Sequence, residues 1–193
     1  MPRPALDDAA LLRISSQCAD VMIAAGDASA SVAELAAAAG ISPRTFHRCF
    51  PTKADCLRPL LDAGNQAFAA ALAAQPPGTP LPEALHAALT VSFTDRPEES
   101  IRRLMRLTFQ DVGLRRVWLE TAHETARLIR PAVAELTGTP VDDLATTVAA
   151  GQAVVAIITV LEHLVRDERG LADLLTDTVH TLYGEHSAHR TGA

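Results

Sequence analysis

Four basic side chains lie in a window of the sequence that contains no carboxylate. From Leu35 to Ala54 there is no Asp or Glu, although the whole chain carries a formal net charge of −6. The window contains Arg44, His47, Arg48 and Lys53, the only lysine in the protein. Guanidinium, imidazole and ammonium groups donate hydrogen bonds to phosphate oxygens, whereas carboxylates would repel them. The window is therefore suited to binding a polyanion.

Two short helices are predicted to carry these side chains. Ser31 and Glu34 have the spacing of a capping box, in which each side chain accepts from the other residue's backbone N–H. Gly40 can take the left-handed conformation that ends such a helix. Ser42 and Pro43 then fit the N-cap and the first position of a second helix. This second helix must end at Phe50, because the residue before a proline leaves the helical conformation.

Two short helices joined by a tight glycine turn are the geometry of a helix-turn-helix, whose second helix enters the major groove of DNA. Residues 28–58 carry four Arg or Lys against two carboxylates, whereas residues 59–193 carry 11 basic and 17 acidic side chains. The charge pattern thus predicts a DNA-binding module, 1–58, with a recognition helix at about 42–49, and an acidic body, 59–193. Phe46 and Phe50 are predicted to be core residues of the module.

The stretch GDASASVAELAAAAGISPRTFHRCFPTKADCL resembles the DNA-binding signature of TetR-type transcriptional regulators. The resemblance covers about residues 10–60 and includes the helix-ending Gly26, a hydroxyl-capped second helix, an A-G-I-S turn and a closing F-x-x-K. It implies an all-α protein in which a three-helix module is followed by a helical domain for ligand binding and dimerisation. The implied partners are a double-stranded DNA operator, a second copy of the chain and a small-molecule effector.

The resemblance also implies which residues contact DNA. Arg44 would read guanine, Pro43 would contact a thymine methyl group, and the others would bond to phosphates or base edges. The full set is Ser31, Ser42, Pro43, Arg44, Thr45, His47, Arg48 and Lys53. The sequence departs from the family at two positions, since the family usually has Tyr in place of His47 and often His in place of Cys49. Cys49 is a poor donor, so one contact with the DNA backbone is expected to be lost or to be supplied by a neighbouring residue.

Helical periodicity also dominates the acidic body and gives about nine helices in total. After a helix from Thr52 to about residue 74, helices are predicted at about 81–94, 97–111, 114–137, 140–166 and 170–184. Pro59 should kink the helix that begins at Thr52, and Pro131 should bend or split the helix that contains it. A kink at Pro59 lies between module and body, where it could transmit a signal from the effector.

The resemblance places the dimer interface on the last two long helices and the effector pocket between the middle ones. The interface candidates are Ala149, Ala153, Ala156, Ile157, Val160 and Leu174, which include small residues that allow close helix approach. The pocket candidates are apolar residues with two histidines as polar anchors, namely Phe68, His86, Leu89, Phe93, Met105, Phe109, Trp118 and His123. For both sets, ordinary packing within one subunit is the alternative.

The remaining patterns argue against other classes of protein. Three cysteines without a CxxC or CxxH pair predict neither a disulfide framework nor a zinc site, and no cofactor is expected. Common catalytic motifs are missing, so an all-helical enzyme is a minor alternative. A redox-sensing regulator using Cys49 and Cys56 is another. The uncharged segment 144–161 favours a buried helix over a membrane span, and the expected location is the cytoplasm.

Overall fold

The computed structural model describes residues 6–93 and 96–184. Within these ranges the chain consists of helices joined by turns and loops, without strands. This part of the chain contains nine α-helices and one 3-10 turn, as the all-α prediction requires. The helices are α1 (Asp8–Ala25), α2 (Val32–Ala38), α3 (Pro43–Cys49), α4 (Arg58–Ala73), α5 (Leu81–Ser92), α6 (Glu98–Gln110), α7 (Val112–Thr137), α8 (Leu144–Arg166) and α9 (Leu171–Tyr183). The 3-10 turn, Ala54–Leu57, comes directly before α4.

Local capping sets the ends of the N-terminal helices. The Asp7 carboxylate accepts from the Ala10 N–H at 2.7 Å and begins α1, and Gly26, with a φ of 77°, ends it. The predicted capping box of α2 is present, with the Ser31 N–H donating to Glu34 at 2.7 Å and the Glu34 N–H donating to Ser31 at 3.2 Å. These bonds satisfy N–H groups that have no partner inside a helix.

Two expectations for the later helices are wrong, and a third is contradicted in part. The fourth helix does not run unbroken from Thr52 with a kink at Pro59, because a 3-10 turn leads into α4 and Pro59 is only the second residue of α4. A proline ring in the first turn displaces no intrahelical hydrogen bond. Of the two outcomes expected at Pro131, bending or splitting, splitting does not occur, because α7 continues to Thr137. α8 begins at Leu144 rather than residue 140, because Asp143 caps it by accepting from the Ala145 N–H.

The chain divides into two compact units, here called unit 1 and unit 2. Unit 1 consists of Met1–Ala63 and Arg103–Thr121, and unit 2 consists of Gly64–Arg102 and Ala122–Ala193. Unit 1 therefore contains the second half of α6 and the start of α7 as well as the first three helices.

The core of unit 1 joins α1 to the two helices that follow it and to the 3-10 turn. Its fully buried side chains include Cys18, Met22, Leu35, Phe46 and Leu57. α4 is tied to this core by a polar contact, since the Leu60 N–H in its first turn donates to the buried Ser15 hydroxyl at 3.1 Å. Without that acceptor, a helix-terminal N–H would lack a partner.

In unit 2, one arginine holds the connection between α8 and α9. The Arg102 guanidinium donates to the carbonyl oxygens of Leu164, Asp167 and Arg169, with distances of 2.7 Å to Asp167 and 3.0 Å to Arg169. Glu98 accepts from Arg102 at 2.9 Å and from the first N–H of α9, that of Leu171, at 3.1 Å. The pair therefore satisfies unpaired carbonyls at the end of α8 and an unpaired N–H at the start of α9.

α8 is the one helix within residues 6–93 and 96–184 that is long and apolar enough to cross a membrane by length and composition. Its most apolar window has a mean hydropathy of 2.0, and 39% of that window is buried inside the protein. Core helices of soluble proteins pass the same test, so the property is weak evidence for a span.

Candidate nucleic-acid interface

The turn between α2 and α3 has the hydrogen bonds of a Schellman motif. Gly40 has a φ of 64°, its N–H donates to the Ala37 carbonyl at 3.1 Å, and the Ile41 N–H donates to the Ala36 carbonyl at 2.9 Å. These two bonds satisfy carbonyls at the end of α2 and reverse the chain within a few residues. Ser42 follows at once as the N-cap of α3, accepting from the Thr45 N–H at 3.1 Å.

Two aromatic rings attach α3 to the core of unit 1. Phe46 is fully buried and Phe50 is 3% exposed, and their rings meet edge to face with centroids 5.0 Å apart. Phe50 is also the C-cap of α3, in an extended conformation that fits its position before Pro51. The inner side of α3 is therefore fixed by packing, which leaves the outer side available for a ligand.

Three of the predicted DNA-binding side chains project from the outer side of α3. Arg44, His47 and Arg48 are exposed. Within the described ranges neither Arg44 nor Arg48 has a hydrogen-bond or ion-pair partner, and the His47 ring meets the Phe46 ring in a T-shaped arrangement, with centroids 6.1 Å apart. No acidic residue lies in the first turn of α3. The outer face thus presents unneutralised donors, as a phosphate or base-edge contact needs.

Apart from Pro43, the other candidates already make hydrogen bonds within the protein. The Ser31 hydroxyl donates to Glu34 at 2.8 Å, and the Ser42 and Thr45 hydroxyls are 2.9 Å apart. The exposed Pro43 occupies the first position of α3. The Lys53 ammonium donates to the carbonyl of Ala28, in the loop before α2. Because an ammonium has three donors, this bond leaves Lys53 with donors for a phosphate.

One acidic residue beside this surface has a partner that sequence reasoning missed. The Asp55 carboxylate accepts from the Thr52 N–H at 2.8 Å, the Thr52 hydroxyl at 2.7 Å and Arg116 at 3.0 Å. Burial opposes ionisation of Asp55, but these bonds outweigh it and hold the pKa of the carboxyl below its usual range. The Thr52–Asp55 spacing indicated the local bonds, whereas no local pattern indicates a partner 61 residues away.

Charge is divided between the two units. By sequence, unit 1 contains ten Arg or Lys and nine Asp or Glu, whereas unit 2 contains seven and fourteen. The excess negative charge of the protein therefore belongs to unit 2. This distribution favours contact of unit 1 with a polyanion and disfavours such contact for unit 2.

The effector candidates do not form a single cluster within one unit. Met105, Phe109 and Trp118 belong to unit 1, where the rings of Phe109 and Trp118 meet edge to face at 5.0 Å. In unit 2, Phe68 and Leu89 are buried, Phe93 is half-buried, His123 is exposed, and His86 lies 3.2 Å from the Thr176 hydroxyl.

A groove of about 380 Å³ between α8 and α9 is lined by none of the effector candidates. It is an open surface feature in unit 2, and two polar contacts lie along it, one between His163 Nδ1 and Asp167 at 3.1 Å and the other an ion pair of Arg169 with Asp177 at 3.0 Å. Leu174, one of the interface candidates, is among its lining residues.

The interface candidates lie mostly on the covered side of α8. Ala153, Ala156 and Val160 are buried within the single chain, as is Leu174 of α9, whereas Ala149 and Ile157 are half-buried. The exposed apolar side chains of α8 are instead Leu144, Val148 and Val155, which are 77%, 50% and 53% exposed. At 100° per residue, these three fall within about 40° of one another around the helix. We call them the α8 stripe.

The cysteines do not support the redox alternative. Cys56 is fully buried, and its hydrogen-bond contact is with the equally buried Cys18. The Cys18 contact and burial raise the pKa of the Cys56 thiol. A reactive cysteine needs both access and a lowered pKa. Cys49, at the end of α3, is half-buried.

Two family sequence models match the chain and together cover most of it. Residues 17–60 match the N-terminal model described as bacterial regulatory proteins, tetR family. Residues 75–187, more than half of the chain, match the model described as the MftR C-terminal domain, which is a TetR C-terminal family. A search among curated proteins gave no significant match.

Solved structures of similar fold are described as TetR-family transcriptional regulators. One from Mesorhizobium loti is 16% identical, with a TM-score of 0.58 and coverage of 94% of this chain and 98% of that one. One from Rhodococcus sp. is 19% identical, with a TM-score of 0.58 and coverage of 91% and 95%. One from Streptomyces coelicolor is 18% identical, with a TM-score of 0.60 and coverage of 95% and 83%.

At these identities the structures establish the fold, and the family models establish the membership. The matched N-terminal region contains the helix-turn-helix, its Schellman turn and the exposed cations of α3. The chain therefore belongs to the TetR family of bacterial transcriptional regulators, with a helix-turn-helix at its N-terminus and a C-terminal domain of the MftR type.

Proposed function

We propose that the protein is a cytoplasmic repressor that binds a pseudo-palindromic DNA operator as a homodimer and is released by a small molecule bound in its C-terminal domain. The observation that carries DNA binding is the outer face of α3, where Arg44, His47 and Arg48 are exposed and no carboxylate is nearby in sequence. Base edges and phosphates are recognised by such donors at the start of a helix in the major groove. No enzymatic activity and no cofactor are part of this proposal.

DNA binding is tested by selecting duplexes from genomic fragments with the purified full-length protein. We expect an enriched sequence with two-fold symmetry, since each subunit of a dimer reads one half-site. Affinity for that duplex should fall steeply with salt, with a slope of about −0.9 for each phosphate contacted. If no duplex is enriched, or if binding is insensitive to salt, the proposal is wrong.

Dimerisation is proposed through the outer face of α8 in both subunits. A single helix-turn-helix has too small an interface for specific binding, and two-fold dimers solve this by reading two half-sites. The α8 stripe is an apolar surface that the single chain leaves open, and Arg102 with Glu98 fixes the neighbouring α8–α9 connection. The small-residue face proposed from the sequence would then pack inside each subunit and support the interface from behind.

We expect Val155→Glu to weaken the dimer strongly, because it would bring like charges together across the proposed interface, at a cost of several kcal/mol. The measurement is sedimentation equilibrium over a range of protein concentrations. Leu128→Glu is the matched control, because Leu128 of α7 is 45% exposed in the same unit but lies outside the α8 stripe. Equal effects of the two variants, or none from Val155→Glu, would argue against this interface.

Release by an effector requires that ligand binding in the C-terminal domain be coupled to DNA affinity. A small molecule that lowers DNA affinity a hundredfold needs a coupling free energy of only about 2.7 kcal/mol. Of the apolar candidates in unit 2, Leu89 and Phe93 lie within the C-terminal family match, residues 75–187, whereas Phe68 lies in α4, before the match begins. Screening for ligands that reduce binding of the selected duplex, followed by Leu89→Trp to fill the proposed site, would test this part.

A further inference from the structure

A chain of hydrogen bonds and ion pairs in unit 1 runs from the residue before Lys53 to the first residue of α4. Thr52 donates to Asp55, Asp55 accepts from Arg116 at 3.0 Å, and Arg116 donates to Glu120 at 2.7 Å. The second Glu120 oxygen accepts from Arg58, where α4 begins. Side-chain contacts within hydrogen-bond distance thus connect the residue Thr52, the 3-10 turn, α7 and α4.

Close backbone packing brings α7 to this position. Gly113 lies in the first turn of α7, and a Cβ placed on it would lie 3.2 Å from the Ala54 Cβ of the 3-10 turn. The turn between α6 and α7 is a single residue, Asp111, whose carboxylate caps α7 by accepting from the Leu114 N–H at 2.8 Å. Because Asp111 and Gly113 fix the start of α7 against the 3-10 turn, Arg116 reaches Asp55 one helical turn later.

Two sets of hydrogen bonds hold Lys53 in place. Its backbone lies between Thr52 and Asp55, which are joined by two hydrogen bonds, and its ammonium is directed to the carbonyl of Ala28. Asp55 is 8% exposed and has no freedom to move without breaking the bonds to Thr52 or Arg116. Fixing the carboxylate therefore fixes the turn that carries Lys53.

We propose that Arg116 is a positioning residue for DNA binding, which acts by holding Asp55 and, through it, the Thr52–Lys53 turn at the phosphate backbone. This inference rests on the proposed function, because it assumes that Lys53 contacts DNA. It assigns part of the DNA-binding apparatus to α7, more than fifty residues beyond the helix-turn-helix. Arg116 itself contacts no DNA in this account.

A simpler account must be distinguished by experiment. Arg116 could act only through its charge, by offsetting the negative charge of Asp55 near the phosphates. In that case Asp55→Asn should strengthen DNA binding. In the positioning account it should weaken binding, because the Asn oxygen can keep the Thr52 bonds while its NH₂ group faces the Arg116 donors and breaks that contact.

The primary test is Arg116→Gln in the full-length protein, with binding measured on the selected duplex across a salt series. We expect binding to weaken about tenfold and the salt slope to become flatter by up to about 0.9 per subunit, as for a lost phosphate contact. In a Lys53→Ala background the same substitution should have almost no further effect, because the residue through which it acts is gone. Amide exchange at residues 52–55 should accelerate in Arg116→Gln without DNA present.

Arg115→Gln is the matched control. Arg115 is the adjacent residue, is exposed, and its guanidinium has no partner in the part of the chain that the structure describes. It should leave the salt slope and the amide exchange of residues 52–55 unchanged. The inference is overturned if the two glutamine variants bind alike, if Asp55→Asn binds more tightly, or if Arg116→Gln still weakens the Lys53→Ala protein tenfold.

Failure of the inference can be told apart from failure of the proposed function. If the wild-type protein binds the duplex with a salt slope and only the variant results disagree, DNA binding stands and the role of Arg116 is refuted. If the wild-type protein binds no duplex, both are refuted. Arg116 is 45% exposed at its side chain, so Arg116→Gln should fold, which an unchanged unfolding midpoint would verify.

Discussion

Arg44→Ala is expected to weaken binding of the selected duplex by roughly 2–6 kcal/mol, because a contact worth about 1–3 kcal/mol is removed from both half-sites. Arg44 is the second residue of α3, is exposed, and has no partner in the described ranges that would have to be given up on binding. The start of a recognition helix is the part that faces base edges. The measurement is a titration of labelled duplex at fixed salt.

The loss at Arg44 should depend on sequence. Affinity for an unrelated duplex should change far less, and the base preference at one position of each half-site should relax. Arg44→Lys is the informative control, because it keeps the charge but loses the bidentate geometry of guanidinium. It should retain most of the salt slope and still lose the base preference. Equal weakening of specific and unrelated duplexes would show that Arg44 contacts only phosphate.

The helix-turn-helix could be predicted from the sequence because its determinants are local. Ser31 with Glu34, Gly40, and Ser42 with Pro43 each act within one helical turn, and each behaves in the structure as its residue type suggests. The burial of Phe46 follows from its position opposite the basic residues. Capping chemistry and helical periodicity operate over three to five residues, which is the range that a single sequence exposes directly.

The remaining features depend on contacts between distant parts of the chain. Arg116 and Asp55 are 61 residues apart, and they meet where Gly113 packs against Ala54. On α8, alanine content indicated close packing but could not indicate which partner lies against it, and most of the proposed interface residues are covered within the single chain. An apolar residue exposed in one chain, such as Val155, looks like a core residue in sequence.

Phe46→Ala is expected to lower the free energy of unfolding of unit 1 by about 3–5 kcal/mol, the usual cost of truncating a fully buried phenylalanine. Its ring is 0% exposed and contacts Phe50 edge to face, so truncation removes both apolar burial and an aromatic pair. Denaturant unfolding can be followed through Trp118, the only tryptophan, which is buried in unit 1. Protein concentration must be fixed, since dimerisation would contribute to stability.

His47, the next residue of α3, is expected to show the opposite behaviour, with little effect on stability and a clear effect on DNA binding. His47→Ala removes an exposed side chain, so the free energy of unfolding should change by no more than about 0.5 kcal/mol, while affinity for the selected duplex should fall. Phe46→Leu should recover most of the stability lost in Phe46→Ala, because it restores apolar volume without the ring. If Phe46→Ala is as stable as the wild-type protein, α3 is not held by its buried face. The exposed donors of α3 would then lack the rigid support that a specific contact with DNA requires.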